Sequence, residues 1–327
     1  REVILLTAGY LSMQSKKRTT ALIRGIAEKK KEPSLYHNLV LASECIRDVG
    51  SNRILGNLES EVSAELRKAL DIPQRSLNAF ERLVLRKEKP DWMERRAQAI
   101  ETLARAGAGY WYAPYGEPEW VDIPAGEFWM GDKNSARKVH LPAFQIARVP
   151  ITNAQYAIFV EETEHEAPKH FEDRRPPKGQ ESHPVIYVTW HDAMAYCAWL
   201  SKVTGKKVAL PSEEQWEKAA RGSQDKREYP WGDTFETTRC NTGELGLGTT
   251  TPIGIFQEGA SPYGVLDLSG NVWEWTNSWY AENSSRVLRG GSWIDYNGLA
   301  RCASRFPDLP PNWNDDLGFR VIVSRGF

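Results

Sequence analysis

Thiols and imidazoles are the groups in this chain best suited to covalent or metal chemistry, and their spacing assigns them to neither. Cys45, Cys197, Cys240 and Cys302 stand apart with no Cys-x-x-Cys pair. That is the pattern of reduced thiols in a cytoplasm, not of a disulfide framework or a zinc site. His140, His165, His170, His183 and His191 lack metal-ligand spacing and read as surface or hydrogen-bonded residues. No Gly-x-x-x-x-Gly-Lys-Ser/Thr loop occurs, so nucleotide phosphates find no cradle of that kind. A different pattern sits near the C-terminus. Arg286-Val-Leu-Arg-Gly-Gly-Ser-Trp293, Arg301-Cys-Ala-Ser-Arg305 and Gly318-Phe-Arg-Val321 are regular, while the stretches between them look unlike anything a fold would require. Fixed anchors with arbitrary filling suggest a scaffold that displays side chains, which points to binding in place of bond-making.

The elements that must position such a segment follow from composition. Twelve of the 13 Trp and 21 of the 25 Gly lie from Gly107 onward, so two parts of the chain follow different packing rules. We expect an all-helical domain over 1–107, a linker over 108–118 and a loop-rich α+β domain over 119–327. At 327 residues, with 41% hydrophobic content, both can bury a core. A net charge of -1 gives no global attraction to nucleic acid or anionic lipid. The clusters Lys16-Lys-Arg18 and Lys29-Lys-Lys31 lack interleaved aromatics and read as solvated faces. No run approaches the roughly 18 apolar residues of a membrane helix, and the opening Arg1-Glu-Val-Ile-Leu-Leu is too short and wrongly flanked for a signal peptide. Beginning at Arg1, the chain is expected to start inside a longer cytoplasmic parent.

In the first domain apolar residues recur at helical spacing. Leu35, Leu39, Ala42, Ile46 and Val49 form one set, Leu58, Val62, Leu66 and Leu70 a second, and Leu77, Phe80 and Val84 a third. Asp91 can cap a further helix carrying Trp92, Ala97, Ile100 and Leu103, ended by Gly107. In the second domain, Ile123–Gly131 and Phe144–Ile151 read as strands around a turn. Thr152 can cap a helix holding Tyr156, Phe159 and Val160. A second helix runs from Trp190 to Val203 with Ala193, Cys197 and Leu200 on one face. Ser212 with Gln215 makes a capping box for a third. Trp190, Trp199, Trp216, Trp231, Trp273 and Trp275 fall within these elements and read as core.

From about residue 119 the chain resembles the formylglycine-generating-enzyme-like domains. The resemblance rests on Ile123-Pro-Ala-Gly-Glu-Phe-Trp-Met-Gly131, His183-Pro-Val-Ile-Tyr-Val-Thr-Trp190, Ala195-Tyr-Cys-Ala-Trp-Leu-Ser201 and Leu210-Pro-Ser-Glu-Glu-Gln-Trp-Glu-Lys-Ala-Ala-Arg-Gly222, followed by Tyr229-Pro-Trp-Gly232, Ser269-Gly-Asn-Val-Trp-Glu-Trp-Thr276, Arg289-Gly-Gly-Ser-Trp293 and Gly318-Phe-Arg320, in the family's order. It implies a C-type-lectin-like fold, with a twisted, mostly antiparallel sheet, two helices and much irregular backbone. The opening Val3–Tyr10 and Cys45-Ile-Arg-Asp-Val-Gly50 resemble the helical region that follows the core of NACHT-type NTPases. An NTPase partner domain preceding this chain is the corresponding expectation.

The enzymes of this family use a copper-binding cysteine pair placed between the Gly-Gly-Ser and Arg-Cys-Ala anchors. Here that interval, Trp293–Ala300, holds no cysteine, and Cys302 matches a packed position outside the pair. One thiol cannot make a two-thiolate Cu(I) site. The related sulfoxide synthases take metal-ligand histidines from a helical N-terminal domain, where this chain offers only His37. A formylglycine-generating-type oxidase is therefore the alternative and not the expectation.

The non-catalytic variable proteins of diversity-generating retroelements are the closer resemblance. In these, adenine-directed reverse-transcription errors rewrite Asn-type codons, which yields many residue types but never Lys, Glu, Gln, Met or Trp. From Ile294 to Asp316 there is no Lys, Glu, Gln or Met, and Trp313 reads as a fixed aromatic. The resemblance implies Ile294, Asp295, Tyr296, Gly298, Leu299, Ser304, Phe306, Asp308, Leu309, Asn314, Asp315 and Asp316 as displayed residues, with Asn297 and Asn312 as further candidates. Their aromatic and acidic character favours a protein ligand with a basic, partly apolar patch, and no nucleic acid or membrane. No Glu-Pro-Asn or Gln-Pro-Asp sugar motif is present. No cofactor is required. The resemblance to the formylglycine-generating enzymes implies structural calcium at Ser269, Gly270, Val272 and Glu274, and a second ion at Asn241 and Thr242.

Overall fold

A computed structural model describes residues 2–28, 41–43, 45–46, 49, 53–58, 61–62, 111–112 and 115–324. The chain divides into two compact units, Arg1–Ala108 and Gly109–Phe327.

In the first unit, helices α1 (Glu2–Gln14) and α2 (Lys16–Ala27) meet at Ser15, whose hydroxyl accepts the Arg18 N–H and caps α2. Ala8, Ile23, Ala42, Ile46, Val49, Leu58 and Val62 are buried, so the helical spacing marks the core where it is described. Lys16, Lys17 and Arg18 are exposed in the first turn of α2. The predicted helices from Leu66 to Gly107, together with Leu35, Leu39 and Lys29–Lys31, lie outside the described residues.

The second unit is α+β with a C-type-lectin-like fold. A short hairpin pairs β1 (Trp111–Tyr112) with β2 (Glu117–Pro118) within the stretch expected as linker. One four-stranded sheet joins β3 (Trp120–Ile123), β6 (Phe144–Ala147), β12 (Ile322–Ser324) and β7 (Val208–Ala209), all antiparallel. Between β3 and β6 a separate hairpin, β4 (Gly126–Met130) with β5 (Arg137–Leu141), carries its own pairing. The single strand expected over Ile123–Gly131 is thus two strands. Pro124 cannot continue a ladder, and Gly126 turns the chain at φ +133. Strand β5 escapes sequence detection because it is largely exposed and lacks apolar alternation.

Helices α3 (Asn153–Thr163), α4 (Trp190–Thr204) and α5 (Glu213–Arg221) each begin in a capping box, at Thr152, Thr189 and Ser212. Between α3 and α4, Tyr156 stacks on Tyr196 at 5.8 Å, and Phe159 and Phe319 meet these rings edge-on. This aromatic packing fixes one side of the second sheet, ordered β10 (Arg305–Asp308), β9 (Ser285–Arg289), β8 (Trp273–Ala281), β11 (Leu317–Gly318). Strand β9 is buried along its whole length, whereas β8 is buried only over its first four residues.

Candidate functional site

The regular C-terminal anchors turn out to be two buried guanidinium systems. Arg289, at the end of β9, is fully buried and donates to three successive carbonyls, those of Cys302, Ala303 and Ser304, at 2.7 to 2.9 Å. It also pairs with two carboxylates of α5, buried Glu217 and, at 3.7 Å, Glu213; Glu217 in turn accepts from Arg221 and from the Gly131 N–H. Arg320 forms the second system. It donates Nε and Nη2 to the two oxygens of Glu274 at 2.6 and 2.7 Å and reaches the carbonyls of Leu266 and Asp267. These anchors pin both ends of the intervening chain to rigid elements. The turn at Gly290 and Gly291 needs glycine twice over: both have positive φ, and a Cβ on Gly291 would lie 3.0 Å from the Leu299 carbonyl oxygen.

Between the anchors, the filling faces outward. Ile294, Tyr296, Leu299, Phe306, Leu309 and Trp313 are each between 40 and 55% exposed. Among the described residues of the second unit only Trp279 and Tyr280 join them as exposed large hydrophobics. Scattered apolar residues on a surface are ordinary, but six from one short segment make a patch. Asn297, Gly298, Asn312 and Asn314 are also exposed. The first loop is braced from below by the Gly243 N–H on the Asp295 carbonyl and by Glu244 accepting from the Asn297 N–H.

Several expected display residues face inward. Ser304 is buried, its hydroxyl donating to the Gly298 carbonyl and its own carbonyl held by Arg289, so it belongs to the frame. Asp295 is half-buried and accepts from the Ser292 N–H and hydroxyl. That same hydroxyl lies 3.0 Å from Asp316, whose carboxyl burial pushes above the usual carboxylate range, with Asp295 and Asp315 adding to the effect. Asp308 accepts from the Leu309 N–H and the Asn312 amide, and Asp315 is half-buried. The expected acidic surface is accordingly weaker than the count of aspartates suggests. Of the tryptophans expected as core, Trp190 and Trp231 are only half-buried, as is Trp293 of the anchor, which donates to the Asp315 carbonyl.

Sequence reasoning missed an aromatic and cationic strip beside the patch. Arg286 lies between the rings of Trp190 and Trp279, 4.1 and 3.4 Å from their centroids, and Arg305 sits over Tyr280 while pairing with Glu213. The polar pair Asn277-Ser278, where β8 leaves the core, was the available signal.

The nucleophile and metal candidates are occupied by structure. Cys197, Cys240 and Cys302 are buried, and burial pushes the Cys302 thiol up to about 12. His183 bonds to Thr250 and His170 to Asn153, and burial lowers each to about 4. His165 pairs with Asp192. Among the described residues no group of three or more His, Cys, Asp or Glu is disposed around a metal position.

The two calcium segments lie side by side, bridged at Asn241 and Gly270, but they fit an ion differently. Glu274 is fully buried and accepts from Arg320 twice and from the Trp216 indole, so a dication would have to settle against a guanidinium. The Gly270 carbonyl accepts the Val272 N–H, and Ser269 donates to the Ala300 carbonyl. Ser269, Gly270, Val272 and Glu274 therefore fit a structural turn and not a calcium site. At the second segment, Asn241 Oδ1, Thr242 Oγ1 and Glu244 Oε2 are buried without hydrogen-bond partners, and these hard oxygens suit calcium. Glu244, which the sequence reading did not include, adds a carboxylate oxygen to this set.

Residues 113–325 match the family model of the sulfatase-modifying factor enzyme 1-like domain. The inactive C-alpha-formylglycine-generating enzyme 2 of Mus musculus is 34% identical over 275 residues, covering 64% of this chain and 87% of that protein. The formylglycine-generating enzyme of Streptomyces coelicolor is 31% identical, covering 61% and 87%. Among solved structures, Treponema denticola variable protein 1 superposes with a TM-score of 0.56 at 23% identity, covering 64% of this chain and 97% of that one, a likeness of fold.

Proposed function

The chain belongs to the sulfatase-modifying factor enzyme 1-like family, and we propose that within it this protein is a non-catalytic recognition module whose segment Ile294–Asp316 binds a protein ligand. Relatives of similar identity bear both active and inactive names, so similarity alone does not decide. The thiol chemistry supports the non-catalytic reading. The interval Trp293–Ala300 has no cysteine, and Cys302 is buried with its backbone bonded to Glu228 and Arg289. An oxidase of the two-thiolate kind has no ligands here.

The observation that carries the binding role is the patch of six half-exposed apolar and aromatic residues on a backbone held at the Cys302, Ala303 and Ser304 carbonyls by Arg289 and followed by the buried anchor Arg320. Aromatic anchors on a rigid frame are the usual source of interface energy, because little side-chain entropy is lost on docking. The absence of Lys, Glu, Gln and Met from the segment supports adenine-directed diversification of these positions. In this proposal the module is the sensor end of a larger cytoplasmic signalling NTPase. Calcium, where bound, is structural and held by Asn241, Thr242 and Glu244.

Neighbouring genomic DNA tests the proposal. A reverse-transcriptase gene and a near-identical repeat carrying adenines at the codons for Ile294, Tyr296, Phe306 and Leu309 are expected. A repeat whose adenines fall instead at Arg289, Cys302 or Arg320 would contradict it, as would copper-dependent turnover of a cysteine peptide by the purified protein.

A further inference from the structure

A cleft of about 450 Å³ opens beside the apolar patch, with Trp313 and Tyr187 as aromatic walls and Glu166, Lys169, Thr189 and Asp192 around them. The volume suits a side chain or small ligand. The two rings meet edge to face at 5.6 Å. Tyr187 holds a left-handed backbone at φ +57, and its N–H donates to the Asn314 carbonyl, which ties the wall to the chain next to Trp313. A bulky residue keeps that conformation only where its surroundings enforce it.

The cleft already carries a cation. The Lys169 ammonium lies 5.2 Å from the Trp313 ring centre and 5.9 Å from that of Tyr187, on an exposed side chain with no carboxylate partner among the described residues. The carboxylates differ in availability. Asp192 is engaged by His165 and by the Thr189 N–H and hydroxyl, whereas Glu166 is exposed with no hydrogen-bond or ion-pair partner among the described residues. Ring faces attract ammonium groups, and a free carboxylate beside them supplies a counter-charge.

We propose that this cleft receives a lysine side chain of the protein ligand, which displaces Lys169 from Trp313 and Tyr187 and pairs with Glu166. Lys169 is then an internal stand-in that sets a threshold for binding. The proposal rests on the recognition role, and it gives that role an anchor outside the diversified positions.

The test titrates the full chain with Nα-acetyl-lysine methylamide, following the Trp313 indole N–H by NMR against a Trp313→Phe control. A saturable shift is expected, absent with the isosteric norleucine compound. Lys169→Met should tighten the lysine compound and Glu166→Gln should weaken it, each by about two- to fivefold, the worth of an exposed cation–π or ion pair. Equal binding of the norleucine compound, tighter binding of the glutamate analogue, or no shift with any of them overturns the proposal. None of these probes depends on Ile294–Leu309, so failure here leaves the patch intact as a binding face, and a missing genomic repeat leaves the cleft intact.

Discussion

Replacing Arg289 by Met tests whether the variable-looking segment is held by a buried clamp. The guanidinium is fully buried and supports the carbonyls of Cys302, Ala303 and Ser304 as well as Glu217. Stranding a buried polar group costs about 1 to 3 kcal/mol, and breaking a buried ion pair about 3 to 5 kcal/mol. These costs share one side chain, Glu217 keeps Arg221, and Arg289 Nε is itself without a partner, so they overlap instead of adding. The expected loss is about 4 to 6 kcal/mol, a large part of the 5 to 15 kcal/mol that holds an ordinary domain. Arg305→Ala is the control: its guanidinium is 44% exposed, and Glu213, though buried, keeps Arg289 at 3.7 Å, so the loss should be well below that of Arg289→Met. Urea unfolding followed by tryptophan emission reports on the second unit, where 12 of the 13 Trp lie. If Arg289→Met loses no more than Arg305→Ala, the segment stands without its clamp and the frame-and-display argument fails.

Changing Tyr296, Phe306 and Leu309 together to Ala should leave the melting temperature nearly unchanged, at about 0.5 kcal/mol or less per exposed site, while ligand binding is lost; unfolding of this variant would show the patch to be core. Chelation should lower the melting temperature, and Glu244→Gln but not a Glu274-sparing control such as Asp308→Asn should abolish that sensitivity; an identical melt with and without chelator would remove calcium from the second segment. Burial lowers the folded pKa of His183 to about 4 against an unfolded value near 6.5, so its contribution is complete above 6.5 and is lost as pH falls from there through 4. His183→Gln should therefore flatten the acid limb of stability between those pH values by on the order of 3 kcal/mol, and parallel profiles for the two proteins would refute the assignment.

The features legible before folding are local in origin. The cap at Thr152 and the capping box at Ser212 were legible because cap and partner stand three residues apart and their hydrogen bonds close within one turn. The missing cysteine pair and the run without Lys, Glu, Gln or Met are likewise properties of one short interval. Tertiary structure decided everything that depends on distant partners. Glu274 looked free to ligate calcium until Arg320, 46 residues away, took both of its oxygens. Ser304 looked like filling until Arg289 seized its carbonyl across the strand pair, and β8 carries Trp279 and Tyr280 into solvent beyond its buried start. Lys169, Tyr187 and Trp313 meet only because the Tyr187 N–H finds the Asn314 carbonyl more than a hundred residues on. A carboxylate, a hydroxyl or an indole has the same intrinsic chemistry wherever it stands. Which of its atoms remain available is set by the groups that folding brings against it, and in a loop-rich fold those arrive from far along the chain.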